Sequence, residues 1–249
     1  MSGKRAWYLG CNADQVADRV ILLGDPARVL RLSQHLRDVE QVSVNRGLNT
    51  VTGWYEDCRI TLSAFGMGAP IAAIVLHELA ELGSRVFLRL GTSIGLAPVK
   101  IGDIVIAKDA KSHEGTSAAY APGAETSVAH PDVVRVLSEV AASSPVNFHL
   151  ATFASYDAFY QDMFALNGKS EKRVRQNFEN LTTDGVSAID METSAILTVG
   201  RVLGCKAGSL CAATVDSLTR EKLTADNLAT VERALMTIAL ESLCQIDPG

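Results

Sequence analysis

Extended apolar runs alternate with helical patterns from one end of this chain to the other. Arg19 to Leu23 reads as a strand and is followed by a helix from about Ala27. A second helix covers 71–82 (IAAIVLHELAEL), ends at Gly83 and leads into a strand at Val86 to Leu90. Further strands are expected at Ile104 to Ala107, Phe148 to Phe153, 186–189 and Ala207 to Val215, with a helix Thr193 to Val202 after the 186–189 run. Such alternation predicts an α/β fold, because each helix buries its apolar face on a sheet. The 71–82 helix is apolar on most faces, as a helix laid against a sheet must be. Between Val42 and Ala64 the pattern changes to strand, turn, strand, with Thr52-Gly53 and Glu56-Asp57 as turn candidates. An antiparallel hairpin inserted there makes the central sheet mixed, flanked by helices. The last helix starts near Thr224 and carries Val231, Leu235, Ile238 and Leu243 on its core face.

No repeat, low-complexity tract or long linker divides the chain, so one domain over 1–249 is expected. With 47% hydrophobic residues in 249, a large core is available. The net charge of -5 comes from interspersed acids and bases without a Lys/Arg block, which excludes a nucleic-acid or anionic-membrane footprint. The five cysteines form no CxxC pair, and Met1 to Gly10 lacks an apolar signal core. The expected location is therefore the cytoplasm. Neither HExxH nor a Cys/His metal spacing occurs, and no metal is expected. His77 reads as a packed or surface residue, and the other histidines receive no role.

Several stretches carry polar chemistry at strand ends. Gly24-Asp25-Pro26-Ala27-Arg28 turns a strand into a helix, so free backbone N–H groups and a guanidinium converge on a small anion site; the same residues also suit an ordinary βα turn. Arg89-Leu90-Gly91-Thr92-Ser93-Ile94-Gly95 places an arginine inside an apolar strand, a costly choice unless it meets an anion. Its GxSxG spelling is not read as a hydrolase elbow, since Pro98 and Gly102 interrupt the helix that motif requires. Gly66-Met67-Gly68 allows close backbone approach or a tight turn. Glu192 sits at a strand-to-helix junction, where a dipole-complementing acid is equally at home. Asp216 ends a strand and suits a general acid if burial raises its pKa, or a polar strand-end cap. Ser155 to Tyr160 interleaves aromatic and polar groups in a way that suits a planar ring, or loop packing.

Taken in order, GDPAR at 24–28, NRG at 45–47, TGWY at 52–55, GMG at 66–68, FLRLGTS at 87–93, GD at 102–103, SYDAFY at 155–160, DMETSA at 190–195 and TVD at 214–216 resemble the nucleoside phosphorylase family, from about Tyr8 to Leu243. That family includes bacterial-type purine nucleoside phosphorylases, 5′-methylthioadenosine phosphorylases and uridine phosphorylases. The resemblance implies that Gly24, Arg28, Arg89 and Thr92 bind phosphate and that Arg46 reaches a phosphate across a subunit interface. It further implies that Glu192 and the backbone at Met191 hold the ribose, that Phe159 packs on the base, and that Asp216 protonates a purine leaving group. The partners it implies are nucleoside, phosphate as co-substrate with no other cofactor, and further copies of the chain as a dimer or trimer of dimers.

Three positions depart from the family pattern. Tyr8 stands where a histidine usually reaches a neighbouring subunit's 5′-hydroxyl. Gln161-Asp162-Met163-Phe164 lacks the Gln-x-Arg pair with which uridine phosphorylases read uracil, which argues against uridine. The stretch Asn227 to Ala229 lacks the arginine that pairs with the catalytic aspartate in the bacterial purine enzymes; Arg220 and Lys222 are the nearby cations.

Overall fold

The protein is described by a computed structural model over residues 4–249. Among the described residues, ten strands and seven α-helices follow one another as β1 (Arg19–Leu23), α1 (Pro26–Ser33), β2 (Arg37–Ser43), β3 (Thr50–Tyr55), β4 (Cys58–Ala64), α2 (Ala69–Glu81), β5 (Val86–Gly95), β6 (Ile104–His113), α3 (Gly115–Tyr120), β7 (Thr126–Val128), α4 (Pro131–Ala142), β8 (Phe148–Tyr156), α5 (Gly168–Thr183), β9 (Val186–Asp190), α6 (Thr193–Val202), β10 (Lys206–Asp216) and α7 (Ala225–Gln245). The strands form one mixed sheet in which β5, β10, β6, β8 and β9 close on themselves, while β1, β4, β3 and β2 extend outward from β5. This is the single-domain α/β fold expected, with helices on both faces of the sheet.

Strand alternation sorts the core onto those two faces. Val20 and Leu22 of β1 join a cluster with Ala72, Leu76 and Leu79 of α2 and Ile196, Leu197 and Val199 of α6. Ile21 and Leu23 point the other way, into a cluster with Val29 and Leu32 of α1, Val133 and Leu137 of α4 and Leu235, Ile238 and Leu243 of α7. A third cluster, under α5, gathers Ile94, Tyr156, Met163, Val174, Phe178 and Ile189, with Phe159, Met191 and Val215 packed against it. Among the described residues, no helix is long and apolar enough to cross a membrane.

Three expectations change. Thr52-Gly53 is no turn: it lies inside β3, and the hairpin reverses at Glu56-Asp57. Glycine is needed at 53 because a Cβ there would stand 2.9 Å from the Arg37 carbonyl oxygen. The strand expected to stop at Leu90 runs to Gly95, paired with β10 and, at Ile94 and Gly95, with β9. Thr92 and Ser93 are thus strand residues, with no helix after them, which disposes of the hydrolase elbow. Strands β6 and β8 are likewise longer than expected, and β2, α4 and α5 go beyond the expected elements.

Candidate functional site

The strand parity that builds the core also places Arg89. Val86, Leu88 and Leu90 face α4 and α7, so Arg89 shares the side of Phe87 and of α2 and α6. It is only 5% exposed. Its Nη2 donates to Glu192 Oε2 at 2.6 Å and lies 3.2 Å from Asp190 Oδ2, while Nη1 donates to Cys211 Sγ at 2.6 Å. Burial works against the positive charge, but the Asp190 and Glu192 carboxylates beside it oppose that, and the guanidinium stays protonated. Burial pushes the Cys211 thiol up to about 11, so at neutral pH it is uncharged and the carboxylates are what hold the arginine. Arg89 Nε and Ser93 Oγ are buried without a hydrogen-bond partner, the signature of a site built for a further polar group.

Glu192 is the hub of this arrangement. It stands at the N-cap of α6, and its Oε1 accepts from the Gly68 N–H at 2.7 Å. Gly68 has φ +98°, a backbone state closed to side-chain-bearing residues in practice, so the GMG loop delivers that N–H because it is glycine. Asp190 fixes the start of the same helix by accepting from Ser155 Oγ at 2.6 Å and from Thr193 N at 3.2 Å. Gly91 is required for a different reason. A Cβ there would lie 2.6 Å from Arg89 Cζ, inside the guanidinium. Gly91→Ala is therefore expected to expel Arg89 from its carboxylates and to lower turnover at least tenfold, in line with the 1–3 kcal/mol of overpacking. Steady-state kinetics beside a thermal melt would measure both effects.

Around this centre the other expected residues take separate places. Asp25 caps α1 by accepting from Ala27 N at 2.9 Å, and Pro26 opens the helix, so the GDPAR turn forms as read. Gly24 packs on the GMG loop, where a Cβ would meet the Gly66 carbonyl oxygen at 3.0 Å. Arg28 is buried, and its Nε donates to Glu232 Oε1 of α7 at 2.6 Å. Thr92 is a half-buried strand residue of β5, paired with Ala212 of β10. Arg46 sits exposed in a short turn at φ +53°, with its guanidinium 5.2 Å from the centroid of the Tyr8 ring. The backbone of Tyr8 is clamped in turn, its N–H donating to Glu78 Oε1 at 2.7 Å.

The third cluster holds the ring-binding candidates. Phe159 stacks on Phe164 at 5.8 Å between centroids, and Met191 packs against the same cluster. A cleft lined by Ile94, Met163, Phe164, Val215, Asp216 and Arg220 opens next to them. Here the expectation for Asp216 fails in one respect. Its carboxylate is partly exposed and accepts from Thr219 N at 2.8 Å, Leu218 N at 2.9 Å and Thr219 Oγ1 at 3.0 Å. The Thr219 N–H above all, with the other two donors, holds its pKa below the usual carboxylate range despite some burial, which is opposite to the rise expected of a buried acid. Arg220 does not serve as its side-chain partner: Nη2 pairs with Glu171 at 3.3 Å, and the guanidinium lies over Phe164.

Phe164, Glu232 and Glu78 were invisible to sequence reasoning. Glu232 meets Arg28 across 204 positions of sequence, and nothing local to its helix announces a partner.

Comparison with known proteins agrees with the geometry. The chain is 34% identical over 218 residues to a uridine phosphorylase of Thermococcus kodakarensis, covering 86% of this chain and 79% of that one. It is also 34% identical over 202 residues to a guanosine phosphorylase of Halorubrum lacusprofundi, covering 81% and 78%. Among solved structures, a uridine phosphorylase of Vibrio fischeri superposes with a TM-score of 0.87 at 26% identity, covering 98% of each chain. A purine nucleoside phosphorylase of Toxoplasma gondii does so with 0.85 at 25%, again covering 98% of each. The model of the phosphorylase superfamily matches residues 18–242, most of the chain, and the chain belongs to that superfamily.

Proposed function

We propose that this protein catalyses the phosphorolysis of nucleosides, with purine nucleosides preferred. It is a nucleoside phosphorylase and hence a pentosyltransferase. The carrying observation is the buried Arg89 and Glu192 pair with its unpartnered Nε and, on the same strand, the unpartnered Ser93 hydroxyl. Arg28, Arg89, Thr92 and the Gly24 turn bind phosphate, joined by Arg46 from a second copy in a homodimer or a trimer of dimers. Exposure of Arg46 beside Tyr8 and of Trp7, Val44 and Met67 nearby in sequence or in the GMG loop fits such an interface. Glu192 accepts hydrogen bonds from the ribose hydroxyls with Met191 beside the sugar, Tyr8 faces the 5′ end, and Phe159 packs on the base.

In the reaction a phosphate oxygen forms a bond to C1′ on one face while the C1′–N bond breaks on the other. The bonding pair leaves with the base, and ribose-1-phosphate forms with inversion. Cationic character at C1′ is met by the phosphate, and Asp216 delivers a proton to the departing purine. Because three donors hold Asp216 as a carboxylate in this structure, that role requires the 217–219 turn to release it when nucleoside binds. A uridine-specific reading is favoured by one observation, the 34% identity to the Thermococcus kodakarensis uridine phosphorylase. Against it stands Met163-Phe164, which puts apolar groups where a uracil-reading pair would be needed.

Chromatographic analysis of inosine, adenosine, methylthioadenosine and uridine, each with and without phosphate, tests both readings. Phosphate-dependent release of a purine base is the expected result. Faster turnover of uridine than of inosine would move base recognition to the alternative, and cleavage that ignores phosphate would overturn the phosphorylase reading.

A further inference from the structure

Glu232 is a carboxylate bonded to a proposed phosphate arginine, and the reaction itself does not use it. Its side chain is 13% exposed on α7 and faces two arginines of α1. Oε1 accepts from Arg28 Nε at 2.6 Å and from Arg31 Nη2 at 2.9 Å, while Oε2 accepts from Arg31 Nε at 3.2 Å. Arg31 Nη2 also donates to Asp25 Oδ2 at 3.1 Å, and Asp25 is the cap of α1. One continuous chain of charge-assisted bonds therefore ties α7 to the turn that carries Arg28.

We infer that Glu232 is a positioning residue for phosphate: it grips Arg28 by Nε, turning the Nη edge of the guanidinium toward the anion, while Arg31 satisfies the rest of its charge. Three facts carry this. A guanidinium has five N–H donors in a rigid fork, and the Arg28 side chain commits only Nε to protein acceptors among the described residues. Two positive and two negative side chains make up the group, Arg28 and Arg31 with Asp25 and Glu232, so no net negative charge of the cluster opposes an added anion. Arg31 takes two of the three bonds to Glu232, leaving Arg28 only partly neutralised. The inference rests on Arg28 being a phosphate ligand.

The test is steady-state kinetics with phosphate varied at saturating nucleoside, on Glu232→Ala, Glu232→Gln and Arg31→Met. E232A is expected to raise KM for phosphate about tenfold, the worth of one charge-assisted bond, with kcat at saturating phosphate and KM for nucleoside little changed. E232Q keeps an oxygen for Arg28 Nε and is expected to recover most of that loss. Arg31→Met, at a largely exposed side chain, leaves the whole Glu232 charge on Arg28 and is expected to raise the same KM severalfold; it also stands in should E232A fail to fold. Unchanged phosphate KM in E232A and R31M, or an equal rise for phosphate and nucleoside, would overturn the inference. Arg28→Ala separates the two levels: if it leaves phosphate KM untouched, the assignment of Arg28 to phosphate is what fails.

Discussion

Replacing Arg89 with alanine is expected to lower stability by about 3–5 kcal/mol, the cost of stripping the partner from buried charges. Glu192 and Asp190 are 5% and 3% exposed and would face each other without a cation. For a chain of this size that corresponds to a fall in Tm of about 10 °C. Turnover should drop by about 10²- to 10³-fold or more, because the same guanidinium orients Glu192 and, in the function proposed, presents Nε to the phosphate. Arg89→Lys separates these effects. A lysine restores a point charge among the carboxylates but not the fork, so it should recover much of the melting temperature and little of the activity. Thermal unfolding and kcat/KM on the two variants measure this, and an R89A melt within about 2 °C of the parent would show that the carboxylates do not depend on the arginine.

The second large effect is expected at Asp216. Exchange to asparagine removes the only proton the side chain could deliver while keeping its acceptor for Thr219 and Leu218. Purine turnover should fall by about 10²- to 10⁴-fold with KM for phosphate unchanged. The pH dependence has a definite sign. With the free-enzyme pKa held below the usual carboxylate range, Asp216 is ionised at neutral pH, and its acid form grows as pH falls. The kcat/KM for a purine nucleoside should therefore rise from about pH 8 to about pH 6 relative to D216N. Thr219→Ala, which deletes the hydroxyl donor at 3.0 Å, should move that rise to higher pH. A purine rate in D216N within twofold of the parent would remove Asp216 from the chemistry.

Much of this was legible in the chain. The β1 to α1 turn follows from Asp25 as cap and Pro26 as first helical residue, both local devices. The α2 and α6 helices were legible because their apolar faces and end signals lie within a dozen residues. Arg89 announced itself as a charge amid FLRL, a conflict of pattern that only a partner could resolve. Gly53 misled, since a glycine beside threonine has the composition of a turn, whereas its use here is the close approach of Arg37 from a strand sixteen positions away.

What the sequence determined by itself was therefore what depends on neighbours in the chain: the alternation of strands and helices, the caps, the glycine turns and the identity of the buried charge. Tertiary structure alone decided who meets whom. Glu192 and Arg89 come together because β9 runs antiparallel to β5, carrying its C-terminal end back from Gly95 toward Arg89, and Glu232 reaches Arg28 because α7 returns across α1. It also decided the proton on Asp216, whose pKa is set by donors that the loop folds onto it. Electrostatic energy depends on distance and burial, and neither is written in residue order.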